Sequence, residues 1–239
     1  MFERVFALDL PHGRCVGVAL PKSDATSHAL VSAVVAALPE AERQHAETLP
    51  EARRASWVGG RIALRAALVD LGVDGGAILS TPRGAPRLPG SVRGSISHKE
   101  SLAVGLAARA EAGPGAGAGA GAGAWHIGID IERIAPAKLD ISKRVLRPEE
   151  LARLPPPDDP RRIEELAFAF SAKEAIYKAF DPFIARYVSF QEVAVERRAD
   201  GTARAALDLR DGDGAGYDVD VRWLRRDDFI VTTARVSRL

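Results

Sequence analysis

The N-terminal half of the chain alternates short apolar runs with a long alanine-rich stretch. Residues 5–10 and 15–20 are β-type runs on either side of a Pro-His-Gly-Arg segment, which predicts a hairpin. Residues 25–71 predict helices with breaks near Pro39 and Pro50, because proline interrupts the backbone hydrogen bonding of a helix. This half is therefore predicted to combine strands with helices.

The last helix of this stretch carries an apolar stripe made of Trp57, Leu64, Leu68 and Leu71. Arg61 falls on or near the stripe, and Gly72 is the predicted stop. Residues 80–90 are rich in Pro and Gly and predict a loop. Residues 94–109 predict either two strands or one bent strand.

Alternation is clearest in residues 124–134. One face of this predicted strand holds Ile127, Ile129 and Ile131, and the other holds Gly128, Asp130 and Glu132. The two carboxylates therefore point the same way. Taken alone, such a pattern is most often a solvated strand face.

A long helix is predicted from the cap-and-first-turn signal Asp159-Pro160 to about Phe180, since Pro182 disfavours helical backbone at the residue before it. Its apolar stripe holds Ile163, Leu166, Phe170 and Tyr177. Glu174 lies on the same stripe, with Lys178 one turn further on. The simple alternative is an exposed ion pair, worth about 0.3–0.5 kcal/mol. A carboxylate on a core-facing stripe instead needs a partner or a metal, since burial of an unpaired charge is costly.

The remaining residues, 189–239, read as strands separated by turns, after a helix or helix pair over residues 140–154. Helix followed by strands occurs in both halves, which suggests two similar α+β lobes. The Gly/Ala tract 112–124 predicts a flexible loop or linker, so we expect lobes at 1–124 and 125–239. This tract lacks the dinucleotide-binding spacing, because Ala120 stands where glycine would be required.

Composition narrows the function classes. The chain has 239 residues, 46% hydrophobic and 27% charged, with a net charge of +1, so no global field attracts nucleic acid or an anionic membrane. The one cysteine excludes an internal disulfide. The N-terminus does not resemble a signal peptide, and no apolar run approaches the about 18 residues of a membrane span. We expect a soluble, cytoplasmic protein.

The candidate chemistry is that of an all-oxygen site. Asp130, Glu132 and Glu174 are three carboxylates that could converge, a donor set that suits Mg²⁺. Zinc is disfavoured, since the five histidines have no ligand-like spacing. The chain has only six lysines, and Lys173 and Lys178 lie five residues apart, which suggests a compact positive charge for a phosphate or a proton.

Arginines are the candidate phosphate ligands. Arg53, Arg54 and Arg61 precede or enter one helix, and Arg83 lies in the Pro/Gly loop. Helix geometry favours Arg54 beside Arg61, because the two share a face. A solvated basic face is the default alternative, as a structural histidine is for His98.

Five segments together resemble a known family. They are RRASWVGGR (53–61), RGAPRLPG (83–90), GSISH (94–98), GIDIE (128–132) and FSAKEAIYKAF (170–180). In this order they resemble the 4′-phosphopantetheinyl transferases, and most closely the two-lobed monomeric enzymes of the enterobactin type. The resemblance covers about residues 50–190. It implies an α+β fold of two similar lobes related by a pseudo-twofold axis, each a small antiparallel sheet packed with helices.

The resemblance also implies a reaction. These enzymes move phosphopantetheine from coenzyme A to a serine of a carrier protein and release adenosine 3′,5′-bisphosphate. It implies that Asp130, Glu132 and Glu174 hold Mg²⁺, or Mn²⁺, against the pyrophosphate at the seam between the lobes. Glu174 would be the general base, and Lys178 would contact the phosphate and assist the leaving group.

The resemblance implies that coenzyme A is bound by residues of the N-terminal half together with Asp130, Glu174 and Lys178. Arg53, Arg61, Arg83 and His98, with Ser97 beside it, would hold the 3′-phosphate and the pyrophosphate. The backbone of Arg83, Gly84, Ala85 and Pro86 would line the adenine. Many relatives have Gly-Lys-Pro where this chain has Gly84-Ala85-Pro86, so any phosphate contact there falls to Arg83.

The implied partners are acyl or peptidyl carrier proteins of polyketide, nonribosomal peptide or siderophore synthases. Because such carriers are acidic, the basic residues Lys143, Arg144, Arg147 and Arg153 are candidates for docking them. A monomer is expected, since two lobes in one chain already supply the seam. Two alternatives stay open: a Mg²⁺-dependent nucleotide pyrophosphohydrolase, and a non-catalytic relative that binds coenzyme A.

Overall fold

A computed structural model describes residues 2–22, 25–110, 123–136, 140–210, 212 and 214–239. The chain divides into two compact units, residues 1–114 and 115–239. This division lies ten residues before the lobe boundary expected from the sequence. Most of the Gly/Ala tract 112–124, predicted to be a flexible linker, lies outside the described residues.

The described part of the first unit packs three helices against a four-stranded antiparallel sheet. Its elements are β1 (Arg4–Leu10), β2 (Gly13–Ala19), α1 (Ala25–Ala36), α2 (Glu40–Thr48), α3 (Glu51–Asp70), β3 (Val92–Lys99) and β4 (Leu102–Arg109). The strand order is β1-β2-β4-β3. The predicted hairpin and both proline breaks are confirmed, and residues 94–109 form two strands joined at Glu100 and Ser101.

Helix α3 packs against the middle of this sheet. Leu64 and Leu68 are fully buried, which confirms the predicted stripe. A Cβ on Gly105 of β4 would lie 2.3 Å from the backbone nitrogen of Leu64, so glycine is what lets helix and strand approach this closely. The helix ends at Asp70, and Gly72 follows with φ +69°, as the predicted stop requires.

The second unit contains a longer antiparallel sheet and the longest helix. Its elements are β5 (Trp125–Arg133), α4 (Ser142–Val145), α5 (Pro148–Arg153), α6 (Arg161–Ile184), a 3-10 turn (Phe190–Glu192), β6 (Val193–Arg197), β7 (Thr202–Leu207), a second 3-10 turn (Gly214–Gly216), β8 (Tyr217–Arg226) and β9 (Phe229–Arg238). The strand order is β5-β9-β8-β7-β6. The predicted helix pair and the strand-rich C-terminus are confirmed.

The predicted end of α6 near Phe180 is wrong, because the helix runs through Pro182 to Ile184. Asp181 stays helical, and its carbonyl accepts the N–H of Ala185 at 3.0 Å. Burial of Phe180 holds this last turn in place. The proline costs one hydrogen bond near the helix end, where the loss is small.

The start of α6 differs slightly from the prediction. Pro160 takes the cap position, one residue later than expected. The Asp159 carboxylate still accepts the N–H of Arg161 at 2.9 Å and so satisfies one of the free amides of the first turn.

The core face of α6 is not the stripe predicted from its large apolar residues. Ala172, Ala175, Ile176 and Ala179 are fully buried, whereas the stripe through Phe170 and Tyr177 is half-buried. Small residues let the helix axis come closest to the sheet, so the larger side chains flank the contact. Glu174 therefore lies on a half-buried flank of the helix.

None of the helices in the described ranges combines the length and apolar character that crossing a bilayer requires.

Candidate active site

Strand β5 and helix α6 bring the predicted acidic residues together. A Cβ on Gly128 would lie 1.9 Å from the carbonyl oxygen of Ala175, so α6 covers the strand face that Gly128 shares with Asp130 and Glu132. Asp130 is only 5% exposed. The alternative of a solvated strand face is therefore wrong for Asp130.

Lys178 binds Asp130 directly. Its ammonium group donates to Asp130 Oδ1 at 2.7 Å and to the carbonyl oxygen of Ile129 at 3.0 Å. The Lys178 side chain is 25% exposed, and that of Asp130 is 7% exposed. A charge pair this sheltered is screened less than a surface pair, so it differs from the exposed ion pair considered in the sequence.

Glu174 lies within electrostatic range of the same group. Burial raises the pKa of the Glu174 carboxyl, nearby Lys178 lowers it, and the charges of Asp130 and Glu132 raise it. The net pKa is raised above its usual value. Asp130 and Glu132 on β5 thus act electrostatically on Glu174, which lies on an element distant in the sequence.

The donor set fits a hard divalent cation, because three carboxylates supply oxygen ligands of the kind that Mg²⁺ and Mn²⁺ prefer. Repulsion from Asp130 and Glu132 on Glu174 is what such a cation would relieve. Within the described ranges, however, no three or more His, Cys, Asp or Glu side chains are arranged to hold a metal ion. The assignment of Asp130, Glu132 and Glu174 as ligands of a divalent cation therefore stays a prediction.

A groove of about 300 Å³ lies beside Glu174. Its lining consists of Ile141, Arg144, Val145, Phe170, Glu174, Tyr187 and Phe190. The lining is largely apolar, with Arg144 as the cation and Tyr187 exposed. Neither Tyr187 nor Phe190 was singled out from the sequence, because only the fold brings the segment after α6 back to this helix.

Lys173 does not share the surroundings of Lys178. Its ammonium group is buried and pairs with Glu150 at 2.6 Å, so the sequence-based expectation that it meets a phosphate or a proton is wrong. Burial lowers the pKa of Lys173, and the hydrogen bond to Glu150 opposes that shift.

The basic candidates for docking also differ in their surroundings. Lys143 and Arg144 are exposed. Arg147 pairs with Glu149 at 2.8 Å and with Asp208 at 3.4 Å, so much of its charge is already matched.

In the first unit, Arg61 is held firmly. It is 6% exposed, and its guanidinium donates to Ser80 Oγ at 2.6 Å and to the Ile78 carbonyl at 3.3 Å. The guanidinium also stacks over the Trp57 ring, 4.0 Å from the ring centroid. Burial lowers its pKa to about 10, with the charge of Glu42 opposing this shift.

The structure distinguishes Arg53 from Arg54. Arg54 donates to the carbonyls of Ala46 at 3.1 Å and Leu49 at 3.1 Å, where α2 ends, so its guanidinium is used in holding α2 to α3. Arg53 is exposed. Helix geometry alone favoured Arg54, and these contacts make Arg53 the more available cation.

The loop over residues 81–86 is a tight turn next to Arg61. The Thr81 N–H donates to the Ala85 carbonyl at 2.8 Å, and the Gly84 N–H donates to the Thr81 carbonyl at 2.9 Å. Gly84 has φ +92°, a conformation that favours glycine. The bridge between Ser80 and Pro86 closes the loop and places it beside the hydroxyl that binds Arg61. Arg83 and Gly84 are exposed.

Ser97 and His98 lie near the end of β3. Ser97 is 7% exposed, whereas His98 is exposed, so His98 is not a buried structural histidine. His98 pairs with Ala103, and a Cβ on Gly59 of α3 would lie 3.5 Å from the Ala103 Cβ. The early turns of α3, which carry Arg53, therefore run toward the His98 end of the sheet.

Sequence reasoning missed Glu42. This residue of α2 is fully buried and accepts hydrogen bonds from the Ile78 N–H and from Arg65. It therefore anchors the segment that leads to Ser80, the partner of Arg61. The highly polar sequence of α2 offered no sign that one of its carboxylates is in the interior.

Two protein-family models match the chain. The model described as the 4′-phosphopantetheinyl transferase superfamily matches residues 126–234, which include β5 and α6. The model described as the 4′-phosphopantetheinyl transferase N-terminal domain matches residues 41–108, which include α3 and β3.

Curated relatives agree with these models. The 4′-phosphopantetheinyl transferase Npt of Nocardia iowensis is 32% identical over 194 residues, covering 76% of this chain and 82% of that protein. The 4′-phosphopantetheinyl transferase Svp of Streptomyces mobaraensis is 30% identical over 234 residues, covering 93% and 89%. Enterobactin synthase component D of Salmonella typhimurium is 32% identical over 137 residues, covering 54% and 48%.

Among solved structures, a holo-(acyl-carrier-protein) synthase from Bacillus anthracis in complex with CoA is 23% identical, with a TM-score of 0.39, and the match covers 47% of this chain and 96% of that one. The chain spans most of the length of the Nocardia and Streptomyces relatives, and both family models match it. The chain therefore belongs to the 4′-phosphopantetheinyl transferase superfamily.

Proposed function

We propose that this protein transfers 4′-phosphopantetheine from coenzyme A to a serine hydroxyl of an acyl or peptidyl carrier protein, and that adenosine 3′,5′-bisphosphate is released. The observation that carries the proposal is the group formed by Asp130, Glu174 and Lys178 on β5 and α6, within the residues that the superfamily model matches. The serine oxygen forms a bond to the phosphorus nearer the pantetheine, and the bond from that phosphorus to the bridging oxygen breaks.

Glu174 is the general base in this proposal. Burial raises the pKa of its carboxyl, which makes it a stronger base than an exposed glutamate, and it lines the groove where an acceptor hydroxyl would enter. The groove beside it leaves room for the segment that carries the serine. Glu174 takes the serine proton as the oxygen attacks phosphorus.

Lys178 acts on the phosphate side. Its side chain is one-quarter exposed, and its ammonium group is held in place by Asp130 and the Ile129 carbonyl. An ammonium held in this way can donate to phosphate oxygens and stabilise the charge that develops on the leaving group.

Asp130, Glu132 and Glu174 would hold Mg²⁺, with Mn²⁺ as a substitute, and when bound the cation would offset the charge that develops on the phosphoryl oxygens. The three carboxylates supply oxygen ligands of the right chemistry. The cation would also lower the cost of keeping these carboxylates together.

Coenzyme A binding is proposed for the first unit together with Asp130, Glu174 and Lys178. Arg53, Arg61 and Arg83, with Ser97 and His98, would contact the phosphates, since guanidinium groups match phosphate oxygens in geometry and charge. The turn formed by Arg83, Gly84, Ala85 and Pro86 would meet the adenine. Hydrogen bonds to the Ile78 carbonyl and to Ser80 hold the Arg61 guanidinium in place. This supports Arg61 as a phosphate ligand, because a pre-positioned side chain loses less conformational entropy when a ligand binds.

Carrier domains of polyketide, nonribosomal peptide or siderophore synthases are the proposed partners. Lys143, Arg144 and Arg153 are exposed cations that could meet an acidic carrier, and Arg144 also lines the groove beside Glu174. Arg147 is the weaker candidate of the basic segment because it is already paired.

The test incubates an apo peptidyl or acyl carrier protein with coenzyme A, Mg²⁺ and this protein, followed by intact-protein mass spectrometry. Transfer predicts a phosphopantetheine-sized mass gain on the carrier and the release of adenosine 3′,5′-bisphosphate. A carrier whose acceptor serine is replaced by alanine is the control. Nucleotide products without carrier modification would favour a pyrophosphohydrolase, and coenzyme A binding without turnover would favour a non-catalytic relative.

A further inference from the structure

Lys173 occupies an unusual position for a lysine, since its side chain is only 1% exposed. Its ammonium group donates to Glu150 Oε2 at 2.6 Å, to the Val145 carbonyl at 2.7 Å and to the Phe190 carbonyl at 3.0 Å. An ammonium group has three protons to donate, so each has an acceptor. Lys173 thus ties α6 to residues before and after it in the chain.

Both carboxylate oxygens of Glu150, the partner of Lys173, accept hydrogen bonds. Besides the ammonium group of Lys173, its Oε2 accepts the N–H of Arg147 at 2.7 Å, and its Oε1 accepts the N–H of Val195 at 2.8 Å. A buried ion pair offsets its desolvation only where its remaining donors and acceptors are satisfied. This network meets that condition.

The network joins the elements that form the groove beside Glu174. Val145 ends α4, Arg147 caps the N-terminus of α5, and Phe190 begins the 3-10 turn. Ile141, Arg144 and Val145 line one part of the groove, and Phe170, Tyr187 and Phe190 line another part. Lys173 of α6 donates a hydrogen bond to one residue of each part, Val145 and Phe190.

Lys173 and Glu174 are adjacent on α6 and point in directions about 100° apart around the helix. Lys173 reaches into the interior, while Glu174 lines the groove. A displacement of the groove wall relative to Glu174 would misplace an acceptor hydroxyl, and a misplacement of about 1 Å can lower a rate about 100-fold.

We propose that Lys173 is a positioning residue for the transfer reaction: by holding residues 141–154 against α6, it fixes the wall of the groove that receives the carrier segment next to Glu174. This inference rests on the proposed function. It assigns a role to the first lysine of the FSAKEAIYKAF segment that involves no contact with phosphate or with the transferred proton.

The first test is steady-state kinetics of Lys173→Met, which keeps the length of the side chain and removes its charge. With an apo peptidyl carrier protein as acceptor, we expect the KM for the carrier to rise about tenfold and the KM for coenzyme A to stay within about twofold. An equal rise in both KM values, or no change in either, would overturn the inference.

The second variant combines Lys173→Met with Glu150→Gln. It removes the unpaired buried charge left by the single substitution, so it should fold where the single variant does not. It still lacks the ties to Val145 and Phe190, so its KM for the carrier should stay raised. A return to the wild-type KM would show that these ties are dispensable.

The matched control is Val221→Ala. Val221 is fully buried on β8 in the core of the same unit, and its truncation destabilises that unit while the Lys173 network and the side chains of residues 141–154 stay unchanged. We expect the control to lower the melting temperature while both KM values stay near wild type. A carrier defect of equal size in the control would assign the effect to general destabilisation.

Hydrogen exchange separates this inference from the proposed function. In both Lys173 variants, the amides of residues 141–154 should exchange faster than in the wild-type protein and in Val221→Ala. If the exchange rates of these amides are unchanged in the variants, Lys173 does not hold residues 141–154 against α6, whatever the activity. If the wild-type protein modifies no carrier, the proposed function is wrong, while faster exchange in the variants would still show that Lys173 holds these residues.

Discussion

At the scale of single residues, neighbours of the same type have different tasks because they touch different atoms. Arg53 and Arg54 are adjacent and chemically identical, yet Arg54 is engaged with the carbonyls that end α2, and Arg53 is exposed. Lys173 and Lys178 lie on one helix, yet one is enclosed and the other is partly exposed beside Asp130. The residue type indicates what chemistry a side chain can perform, and the atoms around it in the folded protein determine which role is open to it.

Glu174→Gln should lower the transfer rate by about 100-fold or more, because an amide cannot accept the serine proton. The melting temperature should change little, since Glu174 is half-buried and contributes little to packing. Carrier modification followed by mass spectrometry measures the rate, and a thermal melt measures stability. Glu196→Gln, which changes an exposed glutamate of the same unit, is the control, and near-normal turnover of Glu174→Gln would refute the base assignment.

Arg53→Ala and Arg54→Ala should separate binding from stability. Arg53→Ala should raise the KM for coenzyme A about tenfold with an unchanged melting temperature, because an exposed phosphate contact is lost. Arg54→Ala should lower the free energy of unfolding by about 1–2 kcal/mol, since carbonyls at the end of α2 lose a charged donor. Kinetics and thermal melts on both variants provide the comparison, and the reverse pattern would exclude Arg53 as the ligand.

At the scale of elements, close approach of a helix to a strand depends on glycine in both units. Gly105 of β4 lies against the Leu64 backbone of α3, and Gly128 of β5 lies against the Ala175 carbonyl of α6. On α6 the facing residues are small as well, with Ala172, Ala175 and Ala179 fully buried. These contacts set how near the helix that carries Glu174 comes to the strand that carries Asp130.

Gly128→Ala should destabilise the protein by more than about 3 kcal/mol and abolish transfer, because the added Cβ would lie 1.9 Å from a backbone oxygen that cannot move alone. Chemical denaturation and the mass-spectrometric assay test this prediction. Ala206→Val, which adds carbon atoms at an exposed position of β7, serves as the control and should be nearly neutral. A Gly128→Ala protein of normal stability would contradict the proposed tight contact.

At the scale of the whole molecule, two compact units each have their own sheet and buried core. Polar groups buried in each unit tie distant segments together. In the first unit Glu42 joins α2 to Ile78, and in the second Glu192 joins Ser189, Arg186 and Arg210. Stability should therefore depend on the charge of a few buried carboxylates.

Acid should destabilise the protein through Glu192 in particular. Burial alone would raise the pKa of this carboxyl, but hydrogen bonds from Arg186 and from the N–H groups of Arg210 and Ser189 lower it to about 2. Its folded pKa is below the unfolded value, so its contribution is fully present above about pH 4.5 and is lost as the pH falls toward about 2.

Glu192→Gln tests this linkage. We expect the variant to be less stable than the wild-type protein at pH 7 by about 2 kcal/mol, with a difference that shrinks as the pH falls through this window. Denaturant melts between pH 7 and pH 2.5 measure the difference. Glu196→Gln, an exposed neighbour, should show no such trend, and a pH-independent difference for Glu192→Gln would rule out the charge as its cause.

Local signals in the sequence were sufficient to predict most helices and strands. Alternation along β5 and the proline positions around α2 are properties of the chain itself, so the strand and both breaks followed from them. Tertiary structure decided what depends on distant segments. In the folded protein α6 continues through Pro182, and its alanines, rather than Phe170 and Tyr177, pack against the sheet. Lys173 and Glu42 are buried, and Lys178 pairs with Asp130. Periodicity reports which residues share a face, whereas the partner of a face, and hence the burial and charge of each side chain, exists only once the chain has folded.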